Sequence, residues 1–219
     1  MRKNVFENLY RELKIKYGKP SGQWKLWCKR LKSEKERTEV IIGAVLTQRT
    51  NWKNVQLAIN NLKKAKINSL RGIYRTGKRS LAPLIKPAGF YQVKAGYLLN
   101  LAKFIIKNYG SVAKIKKQNA EKLRKELLKI KGIGQETADS ILLYALDKPI
   151  FVIDEYTRRL VGQRTFVLLH PSLRSGKKRK LSQNLSYDFL QELFKKNLRK
   201  NFRLYQDFHA LIVIDGKNK

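Results

Sequence analysis

Apolar side chains recur at three- and four-residue spacing along most of this chain, and that spacing is the strongest constraint on its fold. It predicts amphipathic helices, because residues three and four apart share one face of an α-helix. The clearest helical stretches are EVIIGAVLTQ at 39–48, VQLAINNLKKA at 55–65, GYLLNLAKFIIKNY at 96–109, AEKLRKELLKI at 120–130 and TADSILLYAL at 137–146. Two β-branched runs, PIFVID at 149–154 and ALIVID at 210–215, stand isolated. The sequence therefore predicts an all-α fold with little strand.

The charge balance of the chain indicates a polyanionic partner. Its 219 residues include 49 Lys and Arg against 16 Asp and Glu, a formal net charge of +33. Nucleic acid is the first candidate partner and an anionic membrane surface is the second. No apolar stretch approaches the roughly 20 residues of a spanning helix, and the opening MRKNVFENLYREL lacks a signal-peptide core. We therefore expect no membrane association and a cytoplasmic, nucleoid-associated protein.

Cysteine and histidine are too scarce for a typical protein-bound metal or iron–sulfur site. Cys28 is the only cysteine, so this chain supplies neither an internal disulfide nor a four-cysteine iron–sulfur cluster. Its neighbours in WKLWCKRLK favour a packed side chain. His170 and His209 are the only histidines, and we expect His209 to pack or to shape a cleft. We predict no metal site and no cofactor.

The stretch LLKIKGIGQETADSIL at 127–142 predicts two helices joined by a tight turn. Gly132 and Gly134 in that turn permit positive φ and leave backbone N–H groups uncovered at a helix N-terminus, which favours phosphate. Lys129 and Lys131 flank the turn with mobile cations. The pattern indicates either a helix-hairpin-helix that binds a DNA backbone or an ordinary αα-hairpin, and Gly-x-Gly alone does not separate the two.

Two polar features each have a structural and a functional interpretation. Asp154 ends the apolar run PIFVID and precedes the predicted helix EYTRRL, where it serves as an N-cap, as a catalytic carboxylate, or as both. The stretch 170–184 is the only long polar segment, and four basic residues stand together at 177–180. They predict a solvated loop or one that contacts phosphate.

Taken together, four segments resemble the helix-hairpin-helix glycosylase superfamily of the endonuclease III relatives. The run LLKIKGIGQETADSILLYALDKPIFVIDEYTRRL at 127–160 resembles the superfamily signature of hairpin, helix and downstream aspartate. Three further stretches are similar to family helices, and they are GAVLTQRTNW at 43–52, PAGFYQVKAGYL at 87–98 and DFHALIVIDGK at 207–217. The chain looks most like the cluster-free subgroup related to bacterial 3-methyladenine DNA glycosylases, which takes alkylated purines.

This resemblance implies a two-domain, all-α enzyme with a DNA-binding cleft between the domains. One domain is a helical barrel at 38–148 that contains the hairpin. The other is assembled from both chain ends, 1–37 and 149–219. The resemblance places Asp154 at the cleft, just after the chain crosses between the domains.

The chemistry of base removal explains an acid at that place. Breaking the bond between a base and its deoxyribose builds oxocarbenium-like positive charge on the sugar, which a fixed carboxylate stabilises. Asp154 is therefore the predicted catalytic residue. The apolar approach PIFVI excludes water, and the basic surroundings keep the carboxylate ionised.

The resemblance also implies roles for residues that hold an extruded nucleotide and its duplex. Such enzymes flip the base out of the stack, so they need aromatic faces for the base and a side chain to fill the vacated space. The predicted base-pocket residues are Trp52, Trp24 and Trp27, although WKLW at three-residue spacing also suits a core stripe. Gln48 and Phe90 match the residues that fill the stack or wedge the opposite strand, and helix-start packing is the alternative for Phe90. The predicted phosphate-binding residues are Lys131, Gly132, Gly134, Lys129 and Lys94.

Departures from the family pattern narrow the predicted activity. Lyase-competent relatives carry a lysine two residues after the second hairpin glycine, whereas this chain has Glu136, which forms no Schiff base. The four C-terminal cysteines of cluster-binding relatives are missing. Some subgroup members use a lysine near the histidine-containing helix, where this chain has Leu211. The resemblance also suggests a monovalent cation at the hairpin carbonyls.

These observations predict a monomeric, monofunctional DNA glycosylase that acts on double-stranded DNA containing damaged bases, most of all alkylated purines such as 3-methyladenine. One alternative is a bifunctional glycosylase and abasic-site lyase on oxidised bases, which needs the missing lysine. Another is a noncatalytic nucleic-acid-binding protein, which needs neither Asp154 nor Trp52. A basic protein of the membrane surface is the third, and it needs helices with exposed apolar faces.

Overall fold

The computed structural model describes residues 4–162 and 185–218, and every regular element in these ranges is helical. The helices are α1 (Val5–Tyr17), α2 (Trp24–Trp27), α3 (Glu34–Leu46), α4 (Trp52–Lys64), α5 (Leu70–Leu84), α6 (Tyr91–Tyr109), α7 (Val112–Lys116), α8 (Ala120–Leu128), α9 (Gln135–Ser140), α10 (Glu155–Leu160), α11 (Tyr187–Asn197) and α12 (Phe202–Lys217). A 3₁₀ turn forms at Lys86–Ala88, and α9 continues as a π-helical turn through Ile141–Ala145. The prediction of an all-α fold is confirmed.

Two sequence predictions fall on residues outside the described ranges. They concern His170 and the basic run at 177–180. Among the described helices, none is long and apolar enough to cross a membrane.

The chain divides into two compact units. Unit 1 comprises residues 1–28 and 149–219, and unit 2 comprises residues 29–148. Residues 29–37, which the family resemblance placed with the first chain end, belong to unit 2. Arg37 explains this grouping, because its guanidinium donates to the carbonyl of Ala145 and pairs with Asp147 at 2.8 Å.

Unit 2 is built around α3. Ser33 and Glu36 form a capping box that starts this helix, with each side chain bonded to the other residue's backbone N–H. Beyond the first turn α3 is buried on nearly all sides, and Val40 and Val45 have no exposed surface. It packs against α4, α6, α7 and the π-helical turn. Residues 40–46 of α3 are buried on all sides, as in a core helix, so this part of α3 lacks the amphipathic pattern that the spacing in 39–48 predicts.

Unit 1 has an aromatic core between α1, α11 and α12. The rings of Phe151 and Phe194 stack at 4.0 Å between centroids, and Phe6 meets Phe194 edge-on at 4.7 Å. Phe208 of α12 lies 5.8 Å from Phe151. The run ALIVID, which contains four consecutive buried apolar residues at 210–213, is the middle of α12 and not a strand.

Candidate active site and nucleic-acid interface

The segment 149–154 is extended but pairs with no strand, and side chains of α11 satisfy its backbone instead. The amide of Gln191 donates to the carbonyl of Phe151 at 2.7 Å. The N–H of Ile153 donates to the hydroxyl of Tyr187 at 3.3 Å. With Phe151 anchored in the aromatic core, these bonds fix the direction of the chain as it reaches Asp154.

Asp154 caps α10 with one carboxylate oxygen and faces a histidine with the other. Oδ1 accepts from the N–H of Thr157 at 2.8 Å, so the predicted N-cap is present. Oδ2 lies 3.4 Å from Nε2 of His209, and 14% of the Asp154 side chain is exposed. Burial raises the pKa of Asp154, but the charge of the nearby His209 and the hydrogen bond from the Thr157 N–H outweigh it, so the pKa lies below its ordinary value. The structure thus holds a nearly buried, ionised carboxylate.

His209 is the site residue that sequence reasoning missed. We expected it to pack or to shape a cleft, because no acid stands at helical spacing from it along α12. The partner, Asp154, comes from a distant part of the chain, and only the packing of α10 against α12 brings the two together. The resemblance of 207–217 to a family helix was the one available signal.

Trp24 and Trp27 lie in the protein interior, which corrects their predicted role as base-stacking faces. Their exposed fractions are 6% and 4%, so neither ring offers an open face to a nucleobase. The two rings meet edge-on at 5.6 Å, and Trp24 meets the His209 ring edge-on at 5.8 Å. The alternative, that the spacing of WKLW marks a stripe of core residues, is therefore the one that fits the structure. Trp24 packs against the His209 imidazole that faces Asp154.

Position 132 requires a glycine for two reasons, its backbone conformation and the close approach of a neighbouring side chain. Its φ is +97°, and an added Cβ would lie 2.0 Å from Cδ1 of Tyr97. Gly134 differs from our expectation of positive φ, since its φ is −85° and it is the N-cap of α9. The two hairpin helices are joined by Arg124, whose Nε and Nη2 donate to the two carboxylate oxygens of Asp139 at 2.7 and 3.1 Å. This bidentate pair fixes the turn between α8 and α9.

The side chains of Lys129 and Lys131 are exposed on either side of the turn, as a phosphate-binding role requires. Glu136 is also exposed and lies in the first turn of α9, where an acid suits the positive end of the helix dipole. The carbonyl of Lys131 accepts from Asn100 and that of Gly132 accepts from Gln48. Each carbonyl keeps a second lone pair, so these oxygens still fit the suggested monovalent cation, which stays a prediction.

Gln48 connects the end of α3 to the hairpin. Its Nε2 donates to the carbonyl of Gly132 at 2.9 Å and to the hydroxyl of Thr137 at 3.0 Å. Trp52, the first residue of α4, is half-buried. Phe90 is 65% exposed with φ of +47° at the start of α6, so the packing alternative does not describe its side chain. The proposed DNA roles of these three residues stay predictions.

Lys94 does not lie on the surface, which corrects its predicted role in phosphate binding. The residue is 2% exposed. Its Nζ donates to the carbonyl of Leu46 at 2.8 Å and to that of Ala88 at 2.7 Å. Burial lowers the pKa of Lys94 to about 8. A side chain held in this way does not reach a DNA phosphate.

No group of three or more His, Cys, Asp or Glu side chains suited to a metal ion occurs within 4–162 and 185–218.

The family follows from comparison with known proteins. The chain belongs to the HhH-GPD superfamily of base excision DNA repair proteins, whose sequence profile matches residues 42–173. It is a DNA glycosylase of that superfamily. The prediction of a helix-hairpin-helix glycosylase related to endonuclease III is confirmed.

Three known proteins are similar to this chain over most of its length. The chain is 41% identical over 215 residues to the Methanocaldococcus jannaschii protein named "Putative DNA repair glycosylase". The aligned region covers 97% of this chain and 89% of the relative. It is 30% identical to the H. pylori 3-methyladenine DNA glycosylase solved with 1,N6-ethenoadenine, with a TM-score of 0.74 over 98% of this chain and 97% of the other. A trapped endonuclease III–DNA covalent intermediate has a TM-score of 0.71 at 17% identity, over 100% and 87% of the two chains, and shows the shared fold.

Proposed function

We propose that this protein is a monofunctional DNA glycosylase that removes alkylated purines, such as 3-methyladenine, from double-stranded DNA by hydrolysis. The observation that carries the proposal is Asp154, a carboxylate kept ionised in a nearly buried position by Thr157 and His209. The substrate class is supported by the identity of 30% with a 3-methyladenine DNA glycosylase over almost the full length of both chains.

In this mechanism Asp154 stabilises the positive charge that grows on the sugar as the base departs. A carboxylate about 4 Å from that charge, in an effective dielectric of about 20, contributes roughly 4 kcal/mol. That energy corresponds to about a thousandfold in rate. His209 acts on the carboxylate, whose charge and direction it holds, and the attacking water is polarised by the same Asp154.

Trp52 is the proposed stacking face for the extruded base. The side chain of Trp52 is half-buried, so part of its surface stays open. A cationic alkylated purine is attracted to an electron-rich ring and is already a good leaving group. Replacing Trp52 by Ala is therefore expected to slow alkylpurine release more than it weakens binding to undamaged DNA. Equal loss of both would make Trp52 merely structural.

The proposed lack of lyase activity rests on Glu136. This exposed carboxylate stands at the position from which a lysine attacks the sugar in lyase-competent relatives, and a carboxylate forms no imine. The bifunctional alternative therefore lacks its nucleophile. We further propose that the protein works as a monomer without an iron–sulfur cluster.

A lesion panel tests the activity. Duplexes each carry 3-methyladenine, 7-methylguanine, hypoxanthine, 8-oxoguanine, uracil or thymine glycol, and strand cleavage is measured with and without alkali. We expect nicking of the alkylpurine duplexes that depends on alkali and is lost in Asp154→Asn. Glu155→Gln, a change at the adjacent exposed residue, is the matched control and should retain activity. No nicking on any lesion would support the noncatalytic alternative.

Borohydride trapping tests the absence of lyase chemistry separately. A Schiff base between protein and DNA is reduced to a stable cross-link, so the yield of cross-linked complex reports the intermediate. We expect only trace yield, with any trace removed by Lys131→Ala because that lysine flanks the turn. Strong trapping of the wild-type protein would overturn the monofunctional assignment.

A further inference from the structure

The buried ammonium of Lys94 joins two loops that carry the predicted duplex-opening residues. One acceptor is the carbonyl of Leu46, two residues before Gln48. The other is the carbonyl of Ala88, two residues before Phe90. Both bonds are shorter than 3 Å, and all of these residues belong to unit 2. A single side chain thus ties both loops to α6.

The acceptors explain why a lysine is found in this core. Leu46 is the last residue of α3, and Ala88 is the last of the 3₁₀ turn, so neither carbonyl has a partner further along its own helix. An ammonium has three donors and suits the negative end of a helix. Burying a charge is nevertheless unfavourable, and an apolar side chain of this length would avoid that penalty. What the lysine adds is a defined separation between two chain segments.

Both loops also contain backbone that ordinary residues avoid. Arg49, next to Gln48, has φ of +50°, and Phe90 has φ of +47°. Neither is a glycine, so each conformation is strained and persists only when its surroundings hold it. Lys94 supplies part of that hold at Phe90, because the N–H of Lys94 donates to the Phe90 carbonyl at 2.9 Å while its ammonium holds Ala88.

The same connection reaches the hairpin. Gln48 donates to the carbonyl of Gly132 and to the hydroxyl of Thr137, so the loop after Leu46 is fixed against the phosphate-binding turn. Lys94 then links that loop to the turn that carries Phe90. A continuous set of hydrogen bonds therefore runs from the hairpin to an exposed aromatic ring.

We propose that Lys94 is a positioning residue that holds the Phe90 wedge in register with the hairpin, so that the grip on the DNA backbone and the opening of the duplex at a lesion act together. This inference rests on the proposed glycosylase function. It assigns Lys94 no contact with DNA, and its effect passes through Phe90 and the loop of Gln48.

The test compares a paired lesion with the same lesion in a bubble of mismatched bases, where the duplex is already open. Lys94→Met keeps the length of the side chain and removes its donors. We expect single-turnover excision from the paired duplex to fall at least about tenfold, because a small misplacement of a positioning element has large kinetic effects. Excision from the bubble should stay within about twofold of wild type. Lys103→Met, a change at an exposed lysine of the same helix, is the matched control and should alter neither rate.

Two further readouts separate positioning from simple loss of structure. In Phe90→Ala, adding Lys94→Met should cause little extra loss on the paired duplex, because residues that act through one another are not additive. The salt dependence of DNA binding should be unchanged in Lys94→Met, since no phosphate contact is lost. A parallel fall on paired and bubble DNA, additive losses with Phe90→Ala, or a reduced salt slope would each overturn the proposal.

The fluorescence of 2-aminopurine placed opposite the lesion separates this proposal from the proposed function. Its rise on protein binding reports unstacking without any need for base release. If the wild-type protein opens the duplex but excises nothing, the proposed function fails, and a smaller rise in Lys94→Met still supports the positioning role. If the wild-type protein produces no rise in fluorescence, it does not open the duplex, and the positioning role of Lys94 is then overturned.

Discussion

Oδ2 of Asp154 lies 3.4 Å from Nε2 of His209, and this contact couples the candidate catalytic carboxylate to the last helix of unit 1. The carboxylate is nearly buried, which by itself favours its neutral form, and the imidazole offsets that effect. The ionisation of the Asp154 carboxylate therefore depends on His209.

Replacing His209 by Gln should move the acid limb of activity to higher pH. Glutamine retains a hydrogen-bond donor but loses the positive charge, so burial is less opposed and the pKa of Asp154 rises. Only the ionised carboxylate stabilises the sugar cation, so the variant loses activity at a higher pH than wild type as pH falls. Single-turnover excision rates between pH 4 and 8 provide the measurement. Profiles of identical shape with a lower plateau would contradict the coupling, and Arg203→Gln, on the exposed face of α12, is the control.

Gly132 and Gly134 should respond differently to the same substitution. In Gly132→Ala the new Cβ would overlap the Tyr97 ring, and φ of +97° disfavours alanine, so we expect a loss of about 1–3 kcal/mol in the free energy of unfolding. Gly134 has φ of −85° and open space around it, so Gly134→Ala should change the free energy by no more than about 0.5 kcal/mol. Denaturant midpoints compare the two. Equal effects would mean that the hairpin does not have this geometry.

Arg37 should contribute far more to stability than an exposed arginine. It pairs with Asp147 in the interior and donates to the carbonyls of Ala145 and Lys32. Arg37→Met leaves a buried carboxylate that retains only Lys116 at 3.1 Å among the ion pairs described, so we expect a loss of about 3–5 kcal/mol. Arg159→Met, which removes a pair exposed on both sides, should cost at most about 1 kcal/mol.

The double variant of Arg37→Met with Asp147→Asn isolates the effect of the Asp147 charge. It should recover part of the stability that Arg37→Met loses, because the side chain at position 147 then places no charge in the interior. No recovery would show that the two carbonyl hydrogen bonds of Arg37, and not the charge of Asp147, determine the loss.

Lys94 should give the unfolding free energy a measurable dependence on alkaline pH. Burial lowers its pKa to about 8 from an ordinary 10.5. Between these values the unfolded chain binds a proton that the folded chain lacks, so stability rises with pH by up to about 1.4 kcal/mol per pH unit. Below about pH 8 Lys94 is protonated in both states, so its contribution to stability no longer changes with pH. The measurement is the difference in urea midpoint between wild type and Lys94→Met, taken at pH 7.5 and at pH 9.5. A difference that is the same at both pH values would contradict this pH dependence.

Local patterns in the sequence were enough to predict the five helical stretches named from apolar spacing and the hairpin, but not α1, α5 and α11. The spacing of apolar residues is visible within a few neighbouring positions. The turn of the hairpin is likewise indicated by Gly132, which lies in the turn. The cap role of Asp154 followed in the same way from the helix EYTRRL. These predictions depend on residues close together in the chain.

Tertiary packing decided the features that the sequence did not predict. The family resemblance implied a phosphate contact for Lys94, but two helix ends offer its ammonium acceptors in the core. Trp24 lies in the interior against His209, and His209 meets Asp154 only through the packing of two helices. No spacing rule encodes the contacts of His209 with Asp154 and Trp24, because these partners are far apart along the chain.

The single-turnover rate of base release by Asp154→Asn tests the central claim most directly. Asparagine is as good an N-cap as aspartate, so α10 keeps its start and only the charge is removed. The measurement is excision of an alkylated purine from duplex DNA at saturating protein. We predict a fall of about a thousandfold relative to wild type, with affinity for undamaged duplex retained. A variant that releases the base within tenfold of the wild-type rate would contradict a catalytic role for Asp154.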